Sequence, residues 1–272
     1  MKKKLVLLLI MAMVMLAFAA CGTEKTKDPE GTPATGDDAK TGLAVITSTE
    51  KSVDAGEENG VAQVDSVVVA VTVDDAGTIL KCAIDTAQTK IEISNEGKIV
   101  TPLDTVFVSK QELGEEYGMG ELSSIGKEWS EQANALSDYV IGKTVDEVKG
   151  IALNETGGPA DEDLAATVTI KIQGYIDAIE KAAANAQNLG AAADDKLGLG
   201  VVTTIAKSVD AAQEEGLAQA YTYYTATTFD ADGVITSSII DASQTNLNFT
   251  TEGKITSDIN ASYQTKNELG DA

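Results

Sequence analysis

Histidine is absent from the 272 residues, cysteine occurs twice, and aromatic side chains make up only 4% of the chain. Without an imidazole there is no Ser-His-Asp or Cys-His nucleophile system, no histidine-containing zinc site and no haem held by histidine. The two thiols, Cys21 and Cys82, are too few for an iron–sulfur cluster or a Cys₄ zinc site. A redox role would therefore need an organic cofactor. The scarcity of aromatics leaves the core to Val, Ile, Leu and Ala. Basic residues are also few, 20 against 43 acids, for a net charge of −23. Such a body repels phosphate backbones, which argues against a nucleic-acid partner, and the acidity keeps a secreted protein in solution. No Gly-x-Gly-x-x-Gly occurs, so classical dinucleotide binding has no support, and Gly157-Gly158 reads as a loop.

What is present begins with an export signal over residues 1–20. Lys2–Lys4 supply the positive start, Leu5–Leu16 the apolar run, and Ala17-Phe18-Ala19-Ala20 the small-residue end. The run is shorter than the roughly 20 apolar residues of a spanning helix. A cysteine directly after Ala19-Ala20 resembles a bacterial lipobox, and by that resemblance Cys21 is the acylated first residue of the mature protein. An ordinary cleaved signal with a chance cysteine is the alternative. A pair of acyl chains of the palmitate type would hold the protein on the outer face of the cell membrane, where one chain would be marginal. Residues 21–41, rich in Thr, Asp, Lys, Gly and Pro, read as a flexible tether.

From Gly42 the chain repeats itself. Lys51-Ser52-Val53-Asp54-Ala55 returns as Lys207-Ser208-Val209-Asp210-Ala211, an offset of 207 − 51 = 156. The same offset carries Glu96-Gly97-Lys98-Ile99 onto Glu252-Gly253-Lys254-Ile255 and Glu112-Leu113-Gly114 onto Glu268-Leu269-Gly270. A constant offset over that span indicates duplicated domains, residues 42–190 and a partial second copy at 198–272. Within the unit the patterning predicts a hairpin of Val67–Val73 and Thr78–Ile84 about the turn Asp74-Asp75-Ala76-Gly77. Further strands are expected at Lys90–Ile93 and Val106–Val108. Copy two repeats the hairpin as Tyr221–Phe229 and Val234–Ile240. Helices are expected at Ser124–Ile141, with Ile125, Trp129, Ala133, Leu136 and Val140 on its buried face, at Thr144–Val148 and at Tyr175–Asn188. The fold class is α+β: a small antiparallel sheet followed by packing helices, duplicated with an incomplete second copy. Ala272 aligns with Glu116 (272 − 156), so copy two has no counterpart of the Trp129 helix. A sheet without its helices would expose an apolar face, which favours a truncated sequence over a natively degenerate copy.

The stretch Asp161-Glu162-Asp163-Leu164-Ala165-Ala166-Thr167-Val168-Thr169 carries the candidate chemistry. Small neighbours leave the Thr167 hydroxyl open to a bulky reagent, and adjacent carboxylates can hold a metal or take a proton. A plain structural threonine is the alternative, with Thr169 the fallback acceptor. Asp161 either orients a donor or caps the helix that follows. Trp129, Tyr117, Met119 and Tyr139 could flank a planar cofactor or simply fill the core, and Cys82 reads as a small buried strand residue.

With its lipobox, tether, hairpin and acidic Thr stretch, the chain resembles bacterial FMN-binding-domain lipoproteins. These include the tandem-repeat surface flavoproteins of Gram-positive extracellular electron transfer, some of whose signal peptides yield pheromones. More distantly it is similar to the C subunit of the sodium-pumping NADH:quinone reductase. The acceptor motif of that family, Asp-x-x-Ser-Gly-Ala-Thr-x-Thr/Ser, is matched by Asp161, Ala166, Thr167 and Thr169, while Leu164 and Ala165 stand where Ser-Gly would be. The resemblance implies an FMN-binding-domain-like fold and FMN bound covalently through a phosphoester at Thr167, installed by a separate flavin transferase. It further implies a redox carrier rather than a self-contained enzyme. Electrons would come from a membrane quinone reductase or dehydrogenase and pass to extracellular acceptors. One flavin is expected, since copy two has no acceptor stretch. The alternative from a different class is a cofactor-free surface lipoprotein acting as a structural, adhesive or solute-binding module.

Overall fold

In the computed structural model, which describes residues 38–270, two antiparallel sheets stack with helices over one of them. The export signal and Cys21 lie outside the described residues. The first sheet is built from β1 (Asp38–Ser48), β2 (Gly60–Val73), β3 (Ile79–Ile93) and β4 (Gln187–Ala192) in the order β3-β2-β1-β4. The second holds β5 (Lys196–Thr204), β6 (Gly216–Phe229) and β7 (Ile235–Phe249) in the order β5-β6-β7. Between β3 and β4 come α1 (Lys110–Leu113), α2 (Trp129–Val140), α3 (Val145–Lys149), α4 (Glu162–Ala165) and α5 (Gln173–Ala184), and α6 (Lys266–Leu269) closes copy two. The architecture is thus mixed α+β, and the second copy repeats the strands without the α2–α5 layer.

The run Val67–Val73, apolar except for Thr72, does not alternate because β2 is covered on both faces. Its odd residues, Val69, Val71 and Val73, pack under the helices with Ile79, Ile84, Trp129, Leu136, Val140, Ile176 and Ile179. Its even residues, Val68 and Ala70, meet Tyr224 and Ala226 of the second sheet. Each aliphatic side chain so buried contributes about 1.5–3 kcal/mol, which a one-residue slip in register would lose on both faces at once. Gly42 fixes how close the helix layer comes: a Cβ there would collide with the Ala182 carbonyl of α5.

The two copies interlock reciprocally, as across a two-fold axis. Ala55 N donates to Gly253 O at 3.0 Å, and its counterpart Ala211 N donates to Gly97 O at 2.8 Å. Asp54 Oδ1 accepts from Ile255 N at 2.8 Å, and Asp210 Oδ1 from Ile99 N at the same distance. Gly97 and Gly253 sit at φ of +67° and +70°, each against the backbone of the other copy's turn, where a side chain has neither the conformation nor the room. Ile91, Ile93, Leu247 and Phe249 form the apolar seam beside these contacts.

Several expectations need correction. Lys90–Ile93 is not a separate strand; β3 runs unbroken from Ile79 to Ile93 in register with β2. Val106–Val108 forms no strand, only a single bridge between Phe107 and Thr203. The helix placed at Ser124 starts at Trp129, because Glu128 caps it reciprocally with Glu131. The helix expected to reach Asn188 stops at Ala184, and Asn188 lies in β4. The second-copy strands reach further than expected, to Gly216 and Phe249, and β1 begins at Asp38, ahead of Gly42.

Candidate functional site

The acidic stretch folds as one short helix and a turn. Asp161 is the N-cap of α4, its carboxylate accepting from Leu164 N at 3.0 Å, so this side chain is committed to the helix end. The helix closes after a single turn because Thr167 N and Val168 N both donate to Leu164 O, at 3.0 and 2.8 Å. Leu164 and Val168 are buried and pin the turn at both ends. Between them Ala166 is exposed and Thr167 half-exposed.

The two candidate hydroxyls are held differently. Thr167 Oγ1 donates to Leu164 O at 3.1 Å, a bond within its own turn, and the residue is partly exposed. Thr169 is tied into the body: its N and Oγ1 donate to Gln132 Oε1 at 2.8 and 3.2 Å, and Ile170 N joins them at 3.2 Å. Gln132 is fully buried on α2, and its Nε2 donates to Ser123 Oγ and Lys127 O at 3.1 and 3.0 Å. Its five hydrogen bonds clamp the acceptor stretch to the loop before α2. Sequence reading missed Gln132, although a glutamine beside the Trp129–Ala133–Leu136 stripe was the available signal.

Around this turn the chain supplies an acceptor and little else. Glu162 and Asp163 are exposed, and among the described residues no three Cys, Asp or Glu side chains gather to hold a metal ion. Asp161 Oδ1 is engaged at the helix end, and among the described residues no carboxylate is hydrogen-bonded to the Thr167 hydroxyl. All 20 basic residues are lysines, so no arginine is available to grip a phosphate with two parallel hydrogen bonds. Thr167 is partly exposed and follows the small residues Ala165 and Ala166, the surroundings that attachment of a phosphoester would need.

The aromatic candidates divide between core and rim. Trp129 is 2% exposed and donates from Nε1 to Tyr175 Oη at 3.0 Å, so it is a core side chain. Lys110 Nζ lies 4.6 Å from the Tyr117 ring centre and 5.4 Å from that of Trp129, while Tyr117 and Met119 pack partly buried beside them. Tyr139, with Lys143 Nζ 4.3 Å above its ring, lines an open cavity of about 390 Å³. Glu147, Gly150–Ala152, Ala160 and Asp161 complete that cavity, which therefore borders the acidic stretch. Cys82 lies in β3 near Ser137 and is partly rather than fully buried, and desolvation pushes its thiol up to about 12, which keeps it protonated.

Among the described residues no helix is long and apolar enough to cross a membrane. In comparisons with protein-family models, curated proteins and solved structures, none matches this chain.

Proposed function

We propose that the protein is an extracytoplasmic flavin electron carrier, anchored through lipid on Cys21 and bearing one FMN on Thr167. One observation carries the reading: Thr167 is partly exposed in a turn whose two ends, Leu164 and Val168, are buried. A group esterified there is held at a fixed place without disturbing the core. The fallback, Thr169, is exposed but tied to α2 through both its amide and its hydroxyl, whereas the Thr167 hydroxyl is bonded only within its own turn. Flavin would supply the electron chemistry, and the chain would supply attachment and orientation. A covalent link suits a carrier outside the cell, where a dissociable flavin would be lost to dilution. A separate flavin transferase would provide the catalysis of attachment, since among the described residues no carboxylate is hydrogen-bonded to Thr167. Fold-level likeness to FMN-binding domains belongs to the same proposal.

The test is the visible spectrum of the protein after co-expression with a flavin transferase, denaturation and dialysis. Retained flavin absorption that disappears in Thr167→Ala supports the proposal. Colourless wild-type protein would leave the cofactor-free surface lipoprotein as the better reading.

A further inference from the structure

One open cavity of copy one holds a cation, and that cation belongs to the chain itself. The space of about 390 Å³ lies beside the last turn of α2 and α3, where Tyr139, Lys143, Glu147, Ile151 and Asp161 line it with small residues between them. Its volume falls within the roughly 300–1,000 Å³ of small-molecule sites. Tyr139 and Ile151 are half-buried and pack against the core beneath α2, so the apolar floor is fixed. Over that floor Lys143 Nζ stands 4.3 Å from the centre of the Tyr139 ring. The negative face of a phenol ring attracts an ammonium at such a distance.

The walls suit the same charge. Glu147 Oε2 accepts from Thr144 N and Oγ1 at 2.8 and 3.0 Å, which fixes the carboxylate at the start of α3. The Thr144 amide also holds its carboxyl below the usual pKa range, so Glu147 is ionised. Asp161 Oδ1 is fixed in turn by Leu164 N at 3.0 Å. Two anchored carboxylates against one lysine leave negative charge in excess, on a chain whose net charge of −23 draws cations at long range. A phosphate or carboxylate ligand would meet the opposite field. Lys143 is anchored by its backbone, its N donating to Val140 O at 3.2 Å and its O accepting from Ile79 N at 2.9 Å. Among the described residues its ammonium has only the Tyr139 ring, so a second cation can replace it by moving one partly exposed side chain.

We propose that this cavity binds an aliphatic ammonium group, with Tyr139 as its seat, Glu147 and Asp161 as its counter-charges, and Lys143 as a tethered competitor that the ligand displaces. Such a group is carried by a free polyamine or by a lysine side chain of a partner protein. The inference stands independently of the flavin reading.

The test is calorimetric titration of the full chain at low salt with spermidine and, separately, with an end-blocked Gly-Lys-Gly peptide. Saturable binding is expected, and removal of the competitor in Lys143→Gln should tighten it at least about fivefold. Lys149→Gln removes the same charge outside the cavity and should change the affinity by less than about twofold. Adding Tyr139→Leu to Lys143→Gln should weaken binding at least about fivefold, with melting curves showing that each variant is folded. Tighter binding of spermidine points to a free polyamine, and tighter binding of the peptide to a lysine on a partner. No saturable binding by wild type or Lys143→Gln, a gain in Lys143→Gln no larger than in Lys149→Gln, or folded Tyr139→Leu protein that binds undiminished would overturn the proposal.

Discussion

Replacing Gln132 by leucine should unfasten the acceptor stretch while leaving the sheets intact. The wild-type side chain is fully buried and makes five hydrogen bonds, three accepted by Oε1 and two donated by Nε2. At a net value of about 1 kcal/mol each, their removal costs about 5 kcal/mol. Leucine occupies similar space and returns about 2 kcal/mol through burial, leaving a loss of about 3 kcal/mol. Thr169 is exposed and Ile170 half-exposed, so water can reach the freed amides and hold the loss near that figure rather than above it. Urea denaturation measures the stability change, and native-state hydrogen exchange locates it. The amides of Thr169 and Ile170 should lose protection, while those of β2 should fall only with global stability. A stability loss under about 1 kcal/mol, or unchanged protection at Thr169 and Ile170, would refute the clamp.

Further outcomes follow from other parts of the structure. Gly42→Ala should destabilise by at least about 2 kcal/mol, because α5 must move off the sheet, whereas Gly198→Ala at the equivalent position, where the nearest atom to a Cβ is the Phe229 ring at 3.3 Å, should cost less in denaturant stability. Asp85, buried on β3, has its pKa raised chiefly by burial, so the folded protein keeps a proton that the unfolded chain has released. Stability associated with Asp85 is therefore full at low pH and lost as pH rises from about 4 through the raised folded value. Asp85→Asn keeps the acceptor for Thr86 N and Gln111 N, so its advantage over wild type in melting experiments should grow across that interval and then level off. Cys82 should resist iodoacetamide at pH 8 in the native protein and react only on denaturation, as peptide mapping would show.

The sequence exposed the parts of this fold that repeat or alternate and concealed those set by distant partners. Val67–Val73 announced a strand of the hairpin, and the Trp129–Ala133–Leu136–Val140 spacing gave the buried stripe of α2, while the cover on both faces of β2 required the fold. The start of α2 is hidden in the sequence because Ile125 falls at helical spacing, although Glu128 caps the helix three residues later. The far half of β3 was obscured by Thr86, Gln88 and Thr89. Polar residues there are acceptable because ladder pairing with β2 and the neighbouring copy, rather than alternating apolarity, hold the strand. The duplication was legible from one offset, but its geometry was not. The segments most alike between copies, Lys-Ser-Val-Asp-Ala and Glu-Gly-Lys-Ile, are those whose Asp54, Asp210, Gly97 and Gly253 make the reciprocal contacts. Asp161 and Thr167 were placed in one short stretch by sequence. That Asp161 serves the helix end and that Gln132 holds Thr169 required the fold.

The most direct measurement is intact mass followed by peptide mapping of the protein purified from cells that also express a flavin transferase. One FMN-sized adduct, carried by the peptide containing Thr167 and absent from Thr167→Ala, is the predicted result. Unmodified protein, a second adduct, or an adduct that stays in Thr167→Ala would contradict the assignment of a single flavin to that hydroxyl.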